Sequence, residues 1–188
     1  MKKQIFVSLF VILVLFLFSF LFAFFYNQNK EKNKKPLLVK FNPFEVIYFT
    51  NKLPLSDTLG KEMDSKNINS NIQGYTNVLI KNSNDFSVEY DIYLTKNDIK
   101  YNQIKENYVK LYLTDSKDNP CNGYEKNKVP SYSDLLYLSD RPNSKLLYHG
   151  FLDKNSSKSF KIRSWLSDSY VIADYIEAFS AEINVRIK

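Results

Sequence analysis

Cysteine, histidine, tryptophan and glycine are scarce in this chain, with one, one, one and four residues respectively among 188. A lone Cys121 closes no intrachain bridge and forms no thiolate cluster, which excludes a disulfide framework and cysteine-type metal centres. The glycines at 60, 74, 123 and 150 cannot supply the spacing of a phosphate-cradling loop, so nucleotide chemistry is excluded. The single histidine, His149, reaches a Ser, an Asp or Cys121 only through the tertiary fold, and no nucleophile elbow surrounds it. A strand-surface histidine is the expectation, and a hydrolase using His149 is the enzymatic alternative. Asp115, Asp118 and Asp140 form one acidic group and Asp168, Asp174 and Glu177 another. Neither has the register of an EF-hand, and solvated loop charge is expected of both. No catalytic residue, cofactor or metal is assigned, and a non-enzymatic protein is expected.

Net charge is also nearly absent from most of the chain. The formal total is +6, but residues 1–35 hold six lysines against one glutamate, leaving +1 for residues 36–188. That balance lacks the basic footprint of a nucleic-acid binder.

Long polar stretches are missing at the start instead. Residues 5–25 read IFVSLFVILVLFLFSFLFAFF, 21 positions without a charge. As a helix they would extend about 30 Å, the hydrocarbon thickness of a bilayer. The run is longer than the apolar region of a signal peptide, no small-x-small site closes it, and no cysteine follows to take a lipid. These features predict a retained transmembrane anchor over 5–25, after a short basic head at 1–4 and before a polar, lysine-rich tether at 26–36. The lysines flanking the run leave orientation open on the positive-inside rule alone. The lipid bilayer is the first expected partner.

Residues 37–188 are long enough for one core, and their pattern is extended. Phe86, Val88, Tyr90, Ile92 and Leu94 alternate with Ser87, Glu89, Asp91, Tyr93 and Thr95, the period of a half-buried strand. Phe179, Ala181, Ile183, Val185 and Ile187 alternate likewise near the end. Further strands are predicted over 45–50, 74–81, 108–113, 145–152 and 157–165, about seven in total. The connector NSND joins two of them as a hairpin. Residues 116–132 read as an exposed loop, 133–138 as a single helical turn, and 169–178 as a short helix or a long connection. The fold class expected is all-β, an antiparallel β-sandwich, jelly-roll-like or Ig-like, preceded by one transmembrane helix.

Aromatics are plentiful, with 14 tyrosines and 15 phenylalanines. Arg163 and Trp165 have the same parity on one predicted strand, so they share a face. The structural reading places the indole at the core edge with the arginine stem beside it; the functional reading is a carbohydrate or peptide contact. Tyr93 and Tyr148 join them as possible interface or structural residues, because an outward tyrosine anchors interfaces as readily as it finishes a rim.

The order LPLSDTLGKEM, VLIKNSNDFSVEYDIYL, YVKLYLTD, LLYHGFLDKNSSKSFKIRSWLSD and FSAEINVRI resembles the TasA and camelysin group of exported bacterial β-sandwich proteins. The resemblance spans most of residues 45–187 and ends on an Arg-x-Trp unit, here Arg163 and Trp165. It implies export, a jelly-roll-like sandwich and association with a surface or matrix, with fibre formation in some members. The function expected from residues and resemblance together is a non-enzymatic, membrane-anchored cell-surface domain, single-pass in the cell membrane with its C-terminal part extracellular. Another envelope or matrix protein, or a second copy, is its expected partner. The alternative is a secreted fibre or matrix subunit after signal cleavage.

Overall fold

The computed structural model describes residues 37–41, 44–48, 50–59, 74–125, 128–171 and 175–188. Residues 36–188 make one compact unit. The head, anchor and tether at 1–36 lie outside the described residues.

Strand after strand follows the alternation in the sequence. The strands are β1 (Leu37–Phe41), β2 (Phe44–Tyr48), β3 (Leu55–Leu59), β4 (Thr76–Asn82), β5 (Val88–Lys96), β6 (Asn102–Gln103), β7 (Val109–Asp115), β8 (Ser144–Leu152), β9 (Ser156–Leu166), β10 (Glu177–Ala178) and β11 (Ala181–Ile187). A larger sheet runs β1-β2-β4-β9-β3, with β7 on the other side of β9; a smaller one runs β11-β5-β8; β6 and β10 form a short ribbon.

One core lies between the two main sheets. Phe44, Val46, Val78, Ile80, Phe160 and Ile162 of the larger sheet are buried, as are Tyr90, Ile92, Leu94 and Ile183 of the smaller. Each such side chain contributes about 1.5–3 kcal/mol on leaving water. Phe160 couples the layers directly, with its ring centroid 5.1 Å from that of Tyr148 and 6.4 Å from that of Tyr90. Gly150 lies beneath the same two tyrosines; a Cβ there would stand 2.7 Å from Cε1 of Tyr148 and 3.0 Å from the hydroxyl of Tyr90.

Several expectations are corrected. Among the described residues no helix is long and apolar enough to cross a membrane. The physical reason is that the described residues form short strands, most of which alternate apolar with polar side chains, and contain no run of about 20 apolar residues. The transmembrane helix in the expected fold falls on that finding. The membrane-anchored function, the lipid-bilayer partner and the single-pass placement in the cell membrane fall with it. Residues 5–25, on which all four rested, are outside the described region. What stands is an all-β domain.

Its sheets are not wholly antiparallel. β3 pairs with β9 in parallel, Leu55 opposite Ser164, and β6 pairs with β10 in parallel. β6 and β10, of two residues each, are too short to show a period, and β3 reads LSDTL, with apolar residues only at its ends. The expected hairpin between β4 and β5 is replaced by a crossover: β4 pairs with β2 and β9, β5 with β8 and β11. Asn82 sets that corner. Its buried side-chain amide donates to the carbonyls of Phe86, Leu152 and Asp153 at 2.8, 3.3 and 3.0 Å, and its Oδ1 accepts from the backbone of Asn84 at 3.0 Å.

The helical turn predicted over 133–138 is a 3-10 turn at Tyr132–Asp134, capped by Ser131 and Asp134, and residues 135–138 are not helical. The predicted exposed loop over 116–132 is largely exposed up to Lys128, with Tyr124 as a buried anchor whose hydroxyl donates to the Leu147 carbonyl at 2.5 Å, and it turns inward at Ser131 and Tyr132.

Candidate functional site

The smaller sheet carries two features side by side, a charged lattice on its outer face and an open edge. Alternation turns Glu89, Asp91 and Tyr93 of β5 away from the core, with His149 of β8 and Asn184 and Arg186 of β11 as cross-strand neighbours. Asp91 is 0% exposed. Its carboxylate accepts from Arg186 Nε at 2.9 Å and pairs with Arg186 Nη2 at 2.8 Å, while His149 Nδ1 lies 2.9 Å from its other oxygen. Lys188 stands 3.4 Å away, and Arg186 Nη1 reaches Asp140 at 2.5 Å.

Burial would push the Asp91 carboxyl up, but the bonds from His149 and Arg186 and the charges of Lys188 and Arg186 outweigh it and hold Asp91 below the ordinary carboxylate range. The second ring nitrogen of His149 faces Glu89 at 3.5 Å. Where a hydrolase would place its nucleophile, this histidine therefore meets a second carboxylate. The arrangement ties β5 to β11 by charge and to β8 through the His149 ring.

The edge lies beside this lattice. The backbone of Lys188 donates inward to Glu89 at 3.0 Å, so alternate residues Ile187, Val185, Ile183 and Ala181 turn their backbone groups outward. Two of the four are covered: the Ile183 amide donates to Asn51 at 2.5 Å, and the Ala181 carbonyl accepts from Leu53 at 2.8 Å. Among the described residues, Val185 and Ile187 have no backbone partner on that side.

A groove of about 580 Å³ follows this open half of β11. Val46 and Tyr48 of β2 with Val185 and Ile187 form its apolar side, while Tyr93, Arg141, Asn184 and Arg186 form its polar side. Tyr93, 6% exposed, supports Arg141, whose guanidinium carbon lies 5.1 Å from the ring centroid.

The other residues singled out from the sequence lie elsewhere. Arg163 and Trp165 share a face of β9, opposite the face that carries Phe160 and Ile162. Arg163, 1% exposed, donates to Asp118 at 2.8 Å and Thr114 at 3.1 Å, with Tyr75 5.0 Å from it. Lys161 reaches the other Asp118 oxygen at 2.9 Å. Trp165 meets Tyr112 edge-on at 6.5 Å between centroids. Asp118 adopts φ of +64°, and the preceding Asp115 holds the turn by accepting from the amides of Lys117 and Asn119 at 2.8 and 2.9 Å.

Tyr148 faces Phe160 across the core, and Lys158 donates to its hydroxyl at 3.3 Å. Of the four candidates, Tyr93 alone lines the groove. Asp91, Arg141 and Arg186 carry no local signal; Asp91 reads in sequence as one more polar residue on a solvated face. The open edge itself was legible only as strand alternation around Val185 and Ile187.

A second buried charge cluster sits at the far end of β8. Lys145 Nζ donates to Glu106 at 2.8 Å and to the Tyr132 carbonyl at 3.1 Å, and Lys96 takes the other Glu106 oxygen at 2.9 Å. Burial opposes ionisation of Glu106, yet the two lysines hold its carboxyl below the ordinary range.

These elements define an all-β domain of two facing sheets, with one half-open edge and a charged outer face beside it. No family model, curated protein or solved structure matches the chain.

Proposed function

We propose that this is a non-enzymatic subunit of an extracellular fibre or matrix, joined to its neighbours by an extended segment that adds to the outer edge of β11. The observation that carries the reading is the pair of outward backbone positions at Val185 and Ile187, beside a groove with an apolar wall. Unpaired strand edges are templates for another chain, and natural proteins cover or charge them where association is unwanted. Among the described residues, the chain covers only Ala181 and Ile183 on that side.

The resemblance to the TasA and camelysin group supports the same reading. Within it the apolar run at 5–25 serves as an export signal, and the mature chain starts downstream. Intact mass of native material tests that part; retention of residues 5–25 overturns it.

Ile187→Pro tests the edge. Its amide points outward, so proline removes a donor that β5 does not use. The chain as secreted should form higher-order species by sedimentation, and the variant should stay monomeric with an unchanged circular dichroism spectrum. Equal assembly by both, or a monomeric parent at the highest soluble concentration, overturns the proposal.

A further inference from the structure

Resting on that reading, we infer that the segment taken up beside β11 carries a carboxylate, and that Arg141 selects it. The two arginines of the groove are in different states. Arg186 is neutralised twice, by Asp91 at 2.8 Å and Asp140 at 2.5 Å. Arg141 is exposed, stacked at 5.1 Å on Tyr93, and has no carboxylate or hydrogen-bond acceptor for its guanidinium among the described residues. Asp140, the nearest acid in sequence, is the one already committed to Arg186.

A guanidinium resting on a buried ring has lost much of its rotamer freedom before any ligand arrives. Its planar fork of N–H donors matches a carboxylate with two parallel bonds. Lysine would present a point charge without the stack.

The groove adds a second requirement. A strand paired with the outward groups of Val185 and Ile187 sends successive side chains to opposite faces. One set meets the apolar side, where Ile187 is exposed above the nearly buried Val46 and Tyr48, and the other passes Tyr93 and Arg141. The occupant is thus an extended polypeptide segment with an apolar residue on its inner face and Asp or Glu on its outer face. A basic segment is disfavoured, because it would set like charge against Arg141, whose neighbour Asp140 is already paired with Arg186.

The test uses short acetylated and amidated peptides of alternating Val and Thr with one central Glu, and the same peptides with Gln or Lys at that place. Binding to the secreted chain is followed by NMR shifts of the Val185 to Ile187 amides. The Glu peptide should bind about tenfold tighter than the Gln peptide at low salt, a difference of about 1.4 kcal/mol, and the Lys peptide weakest. Arg141→Ala should erase the Glu preference, so that the Glu and Gln peptides bind alike, while Arg141→Lys should keep part of it.

Ile187→Pro should abolish binding of all three. Equal binding of the Glu and Gln peptides by the parent chain, with both displaced by Ile187→Pro, overturns the role of Arg141 and leaves the edge reading standing. No shift at residues 185–187 with any peptide overturns both.

Discussion

Asp91 is the residue on which the smaller sheet depends most. It is a wholly buried carboxylate that two cations, Arg186 and Lys188, reach from the β11 side, while the His149 ring of β8 hydrogen-bonds its other oxygen. Removing one member of such a set strands the others, at a cost of about 3 kcal/mol or more. Asp91→Asn should therefore lower stability at neutral pH by that order in urea denaturation. The pH dependence follows from the sign of the shift. The folded-state pKa lies below the ordinary value near 3.8, so the contribution is complete above that value and is lost as pH falls through the folded one. The parent should lose stability steeply below about pH 4, where carboxylates normally titrate, and the variant should lose less over the same range. Parallel pH profiles for the two would refute the assignment. Gly150 is the opposite case, a residue defined by what it lacks. A methyl group there collides with Tyr148 at 2.7 Å and approaches Tyr90 at 3.0 Å. Gly150→Ala should cost about 1–3 kcal/mol, the usual range for overpacking, and should shift the ring resonances of both tyrosines.

At the scale of elements, the crossover at Asn82 decides which sheet each strand joins. Asn82 ties the end of β4 to three carbonyls that belong to the start of β5 and the turn after β8. Asn82→Ala leaves those carbonyls without their donor, and each unsatisfied buried group costs about 1–3 kcal/mol. Faster amide exchange at Phe86 to Val88 and at Asp153 to Asn155 should accompany the loss, with β7 unchanged; uniform acceleration would argue against a local corner. This element also shows what the sequence could and could not reveal. Alternation made β5 and β11 readable because one face of each meets the core and the other does not. NSND reads as a hairpin turn on composition alone, since Asn and Asp favour any tight corner. What made it a crossover are the bonds from Asn82 to carbonyls as many as 71 residues away. The charged lattice was hidden for the same reason: His149 and Arg186 lie 58 and 95 residues from Asp91 and are brought together only by register. Parallel pairing of β3 and β6 left no trace, because β6 has only two residues and β3, LSDTL, places three polar residues in succession between its apolar ends.

For the molecule as a whole, the question is whether the two main sheets are one cooperative unit. The chain supplies a separate reporter for each. Its only tryptophan, Trp165, is 4% exposed on β9 of the larger sheet, and its only histidine, His149, stands on β8 of the smaller. Between them, Phe160 of β9 touches the rings of Tyr148 and Tyr90 from β8 and β5, and the core runs without a break from Phe44 and Val78 to Ile92 and Ile183. Neither sheet can open without exposing the buried face of the other. The hydrophobic term is proportional to the area exposed, so partial opening forfeits nearly the whole of it while regaining only half of the chain entropy. Trp165 fluorescence and the His149 imidazole resonance should therefore report the same urea midpoint and the same slope, the signature of a two-state transition. Phe160→Ala should lower both midpoints together, by a shift equivalent to about 3–5 kcal/mol. If instead the histidine signal moves at lower urea than the tryptophan signal, the sheet that carries the open β11 edge unfolds by itself. Strand addition would then occur on a locally opened sheet, and Arg141 could not act from the fixed position over Tyr93 that its selectivity requires.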